Sequence, residues 1–372
     1  MNAPAIFCCL AGLTAALRAA EPIKVGEYAS LTGKEAGWGQ TSHHGVVLAI
    51  EEINATGGVL GRPLQLVYED NQSKPGESAT AAKKLLSRDK VIALIGEVAS
   101  GRTLEVAPIA QAARIPMIAP AATNPKVTQT GDYVFRVCFI DDFQSAVLAK
   151  FARTELHASK VAILASSSSA YSASVAKIFK TTFAAAGGEV VAEQKYAEGD
   201  KDFRAQLTAL KSAAIDAVFV PGYFTEAALI VRQARELGLR TPFFGGDGWD
   251  DEQLLKIGGH ALDGSFYLTH FSPDDASSAV TGFVARYRAR WGGESPGTYS
   301  ALGYDAVGVL ADAIRRAGTT EGPKLRDALA ATKNFPGVAG LTTIGADRNA
   351  SKPGTFIAIK GGRAVFYKAV AP

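Results

Sequence analysis

Residues Ala93–Pro125, ALIGEVASGRTLEVAPIAQAARIPMIAPAATNP, constrain the fold of this chain more than any other stretch. Val91 to Ile95 is a short apolar, β-branched run, the pattern of a strand buried on both faces. Gly96 to Gly101 breaks it, and Leu104, Ala107, Ile109, Ala110 and Ala113 then recur at helical spacing. Ile115 to Ile118 reads as a second strand, ended by the turn Pro120-Ala121-Ala122-Thr123. Two neighbouring strands of a parallel sheet therefore end in small residues, hydroxyls and free backbone N–H groups. Open α/β sheets bind ligands at that edge. Ser100 stands at the start of the helix, where unpaired N–H groups favour an anion. Ser100 and Thr123 read equally as helix caps or turn residues when each is taken alone; their recurrence at two successive turns favours a site.

The same alternation runs along the chain. Strands are predicted at 23–28, 64–68, 133–139, 161–165, 189–196, 217–220, 242–244 and 264–269. Helices are predicted at 45–53, 79–86, 144–154, 173–186, 202–212, 225–237, 276–290, 299–317 and 323–331. Trp38 falls in a glycine-rich loop, ASLTGKEAGWGQ. Lys360-Gly361-Gly362-Arg363 joins two short strands as a hairpin. Strands alternating with helices of this length predict parallel, doubly wound α/β sheets. At 372 residues the chain exceeds one ordinary core, so two domains are expected.

Hydrophobic residues make up 47 % and charged residues 20 %, a globular balance. The net charge of +3 is the difference between 39 basic and 36 acidic residues. It gives no footprint for nucleic acid or a membrane surface. Residues 5–17, AIFCCLAGLTAAL, have the length of a signal-peptide core and are too short to span a bilayer. Cleavage is expected after Ala20, which makes 1–20 a signal peptide and the mature protein periplasmic. Cys8 and Cys9 lie in that segment without a lipoprotein pattern, and Cys138 in FRVCF is expected to be buried. No nucleotide-binding, zinc-protease or hydrolase motif is present. None of the five histidines has metal-ligand spacing, so no cofactor and no metal are expected. His43 and His44 are read as solvated or capping residues, Asp250 and Asp251 as a solvated helix start.

The segments ASLTG (29–33), INATGGVLGRPLQLVYED (53–70), IGEVASGRT, IAPAATNP and DFRAQL (202–207) closely resemble the branched-chain-amino-acid-binding proteins of bacterial uptake systems. The resemblance runs from Glu21 to Tyr367 and implies the type I periplasmic binding fold: two Rossmann-like lobes joined by a hinge. Lobe 1 would take residues 21–141 and 271–350, lobe 2 residues 142–270 and 351–372, with three crossings between them. Gln72 and Ala99 stand where some relatives carry a disulfide.

The resemblance also implies site residues. Ser100 and Thr123 match positions that hold a ligand carboxylate, with Ala122 in the same turn. Ala121 matches one whose carbonyl accepts an ammonium, and Asp247, where relatives often have Glu, one that neutralises it. Trp38, Tyr171, Tyr223 and Tyr299 match cleft aromatics. Arg102 is either an exposed first-turn residue or a carboxylate ligand. Asp247 in GGDGWD and the tyrosines read otherwise as a turn residue and surface aromatics.

The expected function is capture of a small amino acid, aliphatic or aromatic, in an interlobe cleft, by a monomer that delivers it to an ABC permease. Three alternatives stand beside it. A sensory module of the same fold is disfavoured, since no DNA-binding or membrane segment follows the last strand up to Pro372. A transport receptor for an amide or aromatic carboxylate is the second. An enzyme built on Ser100 and Asp247 is the third, and no base accompanies Ser100.

Overall fold

A computed structural model describes residues 20–371; the signal-like run at 5–17 lies outside the described residues. Five parallel strands form the first sheet: β1 (Ile23–Ala29), β2 (Leu64–Asp70), β3 (Leu94–Ile95), β4 (Met117–Ala119) and β5 (Val134–Arg136), in the order β2-β1-β3-β4-β5. Helices α1 (Ala36–Ala55), α2 (Glu77–Ser87) and α3 (Ser100–Ala113) connect them, with the single turn α4 (Lys126–Gln129) before β5. β3 is short because only Leu94 and Ile95 pair on both sides, while Ile92 N–H reaches the Lys24 carbonyl ahead of it. Ala93, Leu94 and Ile95 are fully buried, as a central parallel strand requires. Gly96 ends β3 at a positive φ, beneath the Tyr28 carbonyl, where a Cβ would collide.

The second sheet begins after α5 (Asp141–Thr154). It holds β6 (Lys160–Ser166), β7 (Glu189–Tyr196), β8 (Ala217–Phe219), β9 (Phe243–Gly245) and β10 (Phe266–Thr269), connected through α6 (Ala170–Ala185), α7 (Arg204–Lys211), α8 (Phe224–Glu236) and α9 (Glu252–Gly258). The chain then leaves it for α10 (Ser278–Arg290), α11 (Thr298–Ala317), α12 (Gly322–Ala330) and the small sheet β11 (Phe335–Gly337), β12 (Gly340–Ile344) and β13 (Ala350–Ser351). It returns as the hairpin β14 (Gly354–Lys360) and β15 (Arg363–Val370), antiparallel at the sheet edge, in the order β15-β14-β10-β9-β8-β6-β7.

α11 lies along α1, so the late helices pack on the first sheet's side. Gly45 permits the approach: a Cβ there would run into the Ser300 carbonyl. α1 also begins nine residues earlier than periodicity predicts. Its first turns contain Gly37 and Gly39, poor helix formers, but Gly39 packs under the Ser30 carbonyl where no Cβ fits. Tertiary packing thus overrides local propensity and places Trp38 on a helix instead of in a loop. The passages between the sheets run through Phe139, His270 and Lys352. Lys352 is buried there, paired with Asp305 of α11 at 3.2 Å. Cys138 is buried as expected, and burial pushes its thiol up to about 12.

Candidate ligand-binding cleft

The carboxyl ends of three strands in each sheet face one another. The first sheet supplies Trp38 on the first turn of α1, Ser100 at the start of α3, and Ala121 and Thr123 beyond β4. The second supplies Tyr171 on α6, Tyr223 just before α8, and Asp247 and Gly248 in a 3-10 turn after β9. With Val98, and Tyr299 at the start of α11, these residues line a small, nearly closed cavity of about 10 Å³. Val98 and Gly248 are not among the residues expected from the sequence. Val98 carried no signal, being an apolar residue in a turn. Gly248 had one: the GDG turn needs a residue without Cβ, because the Gly222 carbonyl and the rings of Tyr171 and Tyr223 close over it.

Two expected residues stand apart. Ala122 is buried in the first-sheet core, and its carbonyl accepts hydrogen bonds from Arg136 and, at 3.6 Å, from the Cys138 thiol. Arg102 fits neither of its two readings. It is 8 % exposed, donates from Nε to Glu35 at 3.2 Å and from a terminal nitrogen to the Ser73 carbonyl at 2.6 Å, and does not line the cavity. It braces α3 against the start of α1.

The walls meet through aromatic contacts and hydrogen bonds. Trp38 packs edge-on against Tyr223 with centroids 4.7 Å apart, and Tyr171 stacks on Tyr223 at 5.4 Å. Such geometry suits the ring quadrupoles. Trp38 Nε1 donates to the Asp250 carbonyl at 3.2 Å, the Tyr299 hydroxyl to the Asp247 carbonyl at 2.7 Å, and Asn124 Nδ2 to the Ala170 carbonyl at 2.9 Å. Lys34 pairs with Glu198 at 2.7 Å at the mouth. All of these except the Tyr171–Tyr223 stack join an element on the first sheet's side to one on the second's.

Asp250 is not solvated as expected: its carboxylate accepts the Thr269 hydroxyl, and burial pushes its pKa up to about 6. Asp251 does cap α9, accepting Gln253 N–H at 2.8 Å. The two histidines on α1 also have structural partners in place of water: His43 Nδ1 lies 2.6 Å from Glu27, and His44 stacks on Trp291 at 3.8 Å.

The cavity has two chemically distinct poles. At one, Ser100 Oγ accepts Asn124 N–H at 3.2 Å and so keeps its own proton free to donate. Thr123 and the unpaired N–H groups at the start of α3 lie beside it. At the other, Asp247 is 4 % exposed. Its Oδ2 lies 3.2 Å from His270 Nε2, while Oδ1 is buried without a partner. Burial, then the Asp247 charge, raises the Tyr171 hydroxyl well above its usual range, so the phenol stays neutral. Donors at one end and an uncompensated carboxylate at the other suit a small zwitterion. They do not suit acyl transfer, because Ser100 has a backbone N–H on its oxygen in place of a general base.

The family profile described as periplasmic binding protein matches residues 22–363. The Leu/Ile/Val-binding protein of Rhizobium johnstonii is 32 % identical over 342 residues, 90 % of this chain and 91 % of that one. The leucine-binding protein of Thermotoga maritima superposes with a TM-score of 0.90 at 38 % identity, covering 94 % of this chain and 99 % of the other. The branched-chain amino acid transporter substrate-binding protein of Streptococcus pneumoniae, solved with isoleucine, gives 0.89 at 34 %, covering 94 % and 100 %. The paired parallel sheets, the facing strand ends and these matches agree: the chain belongs to the periplasmic binding proteins of type I fold, a family of solute-binding receptors, in the group of the Leu/Ile/Val-binding proteins.

Proposed function

We propose that this protein is an extracytoplasmic receptor that captures a small amino acid between two lobes and delivers it, as a monomer, to an ABC permease. The lobes are residues 21–141 with 271–350, and 142–270 with 351–372, and residues 1–20 are the export signal. Ser100, Thr123 and the α3 N-terminus hold the α-carboxylate; Asp247 and the Ala121 carbonyl hold the α-ammonium; Trp38, Tyr171, Tyr223 and Tyr299 enclose an aliphatic or aromatic side chain.

The observation that carries this reading is the buried, unpartnered Asp247 Oδ1, on a residue lining a cavity whose opposite wall carries the Ser100 and Thr123 hydroxyls. A buried carboxylate oxygen without a partner is costly unless a cation completes it. Binding one zwitterion to both lobes would favour the closed form, since only there do both walls touch it.

Calorimetric titration with the standard amino acids tests the proposal. Neutral aliphatic or aromatic ligands are expected to bind, and Asp247→Ala to weaken them by roughly 2–5 kcal/mol, about 30-fold to several thousand-fold. Preference for aspartate or glutamate, or an unchanged affinity in the variant, would overturn it.

A further inference from the structure

His270 is not among the residues that line the cavity, yet its Nε2 lies 3.2 Å from the Asp247 carboxylate, which the Tyr171 hydroxyl also reaches. It sits just after β10, where the chain passes between the sheets, and is 3 % exposed. Its ring stacks on Phe139, from another passage between the sheets, at 3.6 Å and 26°. Its Nδ1 is buried with no acceptor in reach. A proton on Nδ1 would be an orphaned buried donor, whereas a proton on Nε2 faces a carboxylate. Burial lowers the imidazole's basicity, which keeps it neutral. His270 is therefore an Nε2–H donor, held by stacking, that grips Oδ2 and leaves Oδ1 without a partner.

We infer that His270 is the positioning residue for the ligand's ammonium site: it fixes the Asp247 carboxylate before ligand arrives without cancelling its charge. This rests on the reading of Asp247 given above. Arginine or lysine in the same place would neutralise the carboxylate and compete with the ammonium. A neutral donor orients it and leaves a full charge to be met by the ligand. Because His270 follows β10 and Asp247 follows β9, paired strands of one sheet, the two move together and the orientation is kept as the lobes open and close. The ordering cost is then met in folding, not at binding.

The test compares L-leucine with its deaminated analogue 4-methylpentanoate, by calorimetry, in the parent protein and in His270→Leu, His270→Gln and Asp247→Ala. His270→Leu removes the donor. It is expected to weaken L-leucine about tenfold and leave 4-methylpentanoate unchanged, which also reports an intact fold. His270→Gln restores an N–H at the same reach and is expected to recover most of the L-leucine affinity, a result that packing alone would not give. If Asp247→Ala loses the preference for L-leucine while His270→Leu keeps it, the inference falls and the Asp247 reading stands. If the parent shows no preference for L-leucine over 4-methylpentanoate, both fall. Equal weakening of the two compounds by His270→Leu would mean that the residue is structural, and would also overturn the inference.

Discussion

The hydroxyl of Tyr299 donates to the backbone carbonyl of Asp247 at 2.7 Å, joining residues 52 positions apart that belong to elements on opposite sides of the cleft. Tyr299 opens α11, which packs on α1; Asp247 follows β9 in the other sheet. The bond holds the acidic turn against the first-sheet side and exists only while the two walls are together.

Tyr299→Phe keeps the ring and removes that bond. A hydrogen bond of this kind contributes about 0.5–1.5 kcal/mol, so ligand affinity is expected to fall by about two- to tenfold. The ligand-free melting temperature should barely move, because the bond favours closure more than folding. Calorimetry and small-angle scattering read the two effects; a variant that binds and compacts like the parent would show that the bond does not bias closure.

Arg102→Met should act on stability and leave selectivity alone. The substitution strands Glu35 in a largely buried position beside α1, with Lys34 its remaining cationic neighbour. Removing one member of a buried pair costs about 3–5 kcal/mol. Denaturant unfolding should report a loss of that size, with the rank order of bound amino acids unchanged. A changed rank order would place Arg102 in the site after all.

Gly45→Ala tests the seam between α1 and α11. The added methyl meets the Ser300 carbonyl, a backbone atom that cannot swing aside. Overpacking of this kind costs about 1–3 kcal/mol. Thermal unfolding should show the loss, whereas Gly101→Ala, whose Cβ meets nothing nearby, serves as a neutral control.

Asp141 carries a pH signature. It is fully buried, accepts one hydrogen bond from Gln144 Nε2 at 3.1 Å, and has a second oxygen without a partner. Burial pushes its pKa from 3.8 up to about 6. Between those values the folded protein holds a proton that the unfolded chain has released. Raising the pH through about 4 to 6 therefore destabilises the fold, by at most about 3 kcal/mol from this group. Asp141→Asn should lose that component. The gap between variant and parent melting temperatures, followed from pH 4 to 7, should widen in the variant's favour as pH rises; a constant gap would refute the assignment.

The α/β class, the two runs of alternating strand and helix, the terminal hairpin and the strand-end segments that carry Ser100, Thr123, Tyr171, Tyr223 and Asp247 are legible in the residues alone. These features are local, written in hydrophobic period and in glycine-rich punctuation at strand ends. Tertiary structure decided what depends on approach between distant segments. Trp38 lies on a helix because Gly39 fits under the Ser30 carbonyl, although both flanking glycines favour a loop. Arg102 is an internal brace because Glu35 and the Ser73 carbonyl converge on it from other elements. Ala122 faces the core and not the cleft because Arg136 takes its carbonyl. His270 had no motif at all: only the fold brings it to Asp247, 23 residues away, and against Phe139. Periodicity along a chain records which residues share a face. It does not record which buried charge will find which partner, since that depends on where separate elements come to rest.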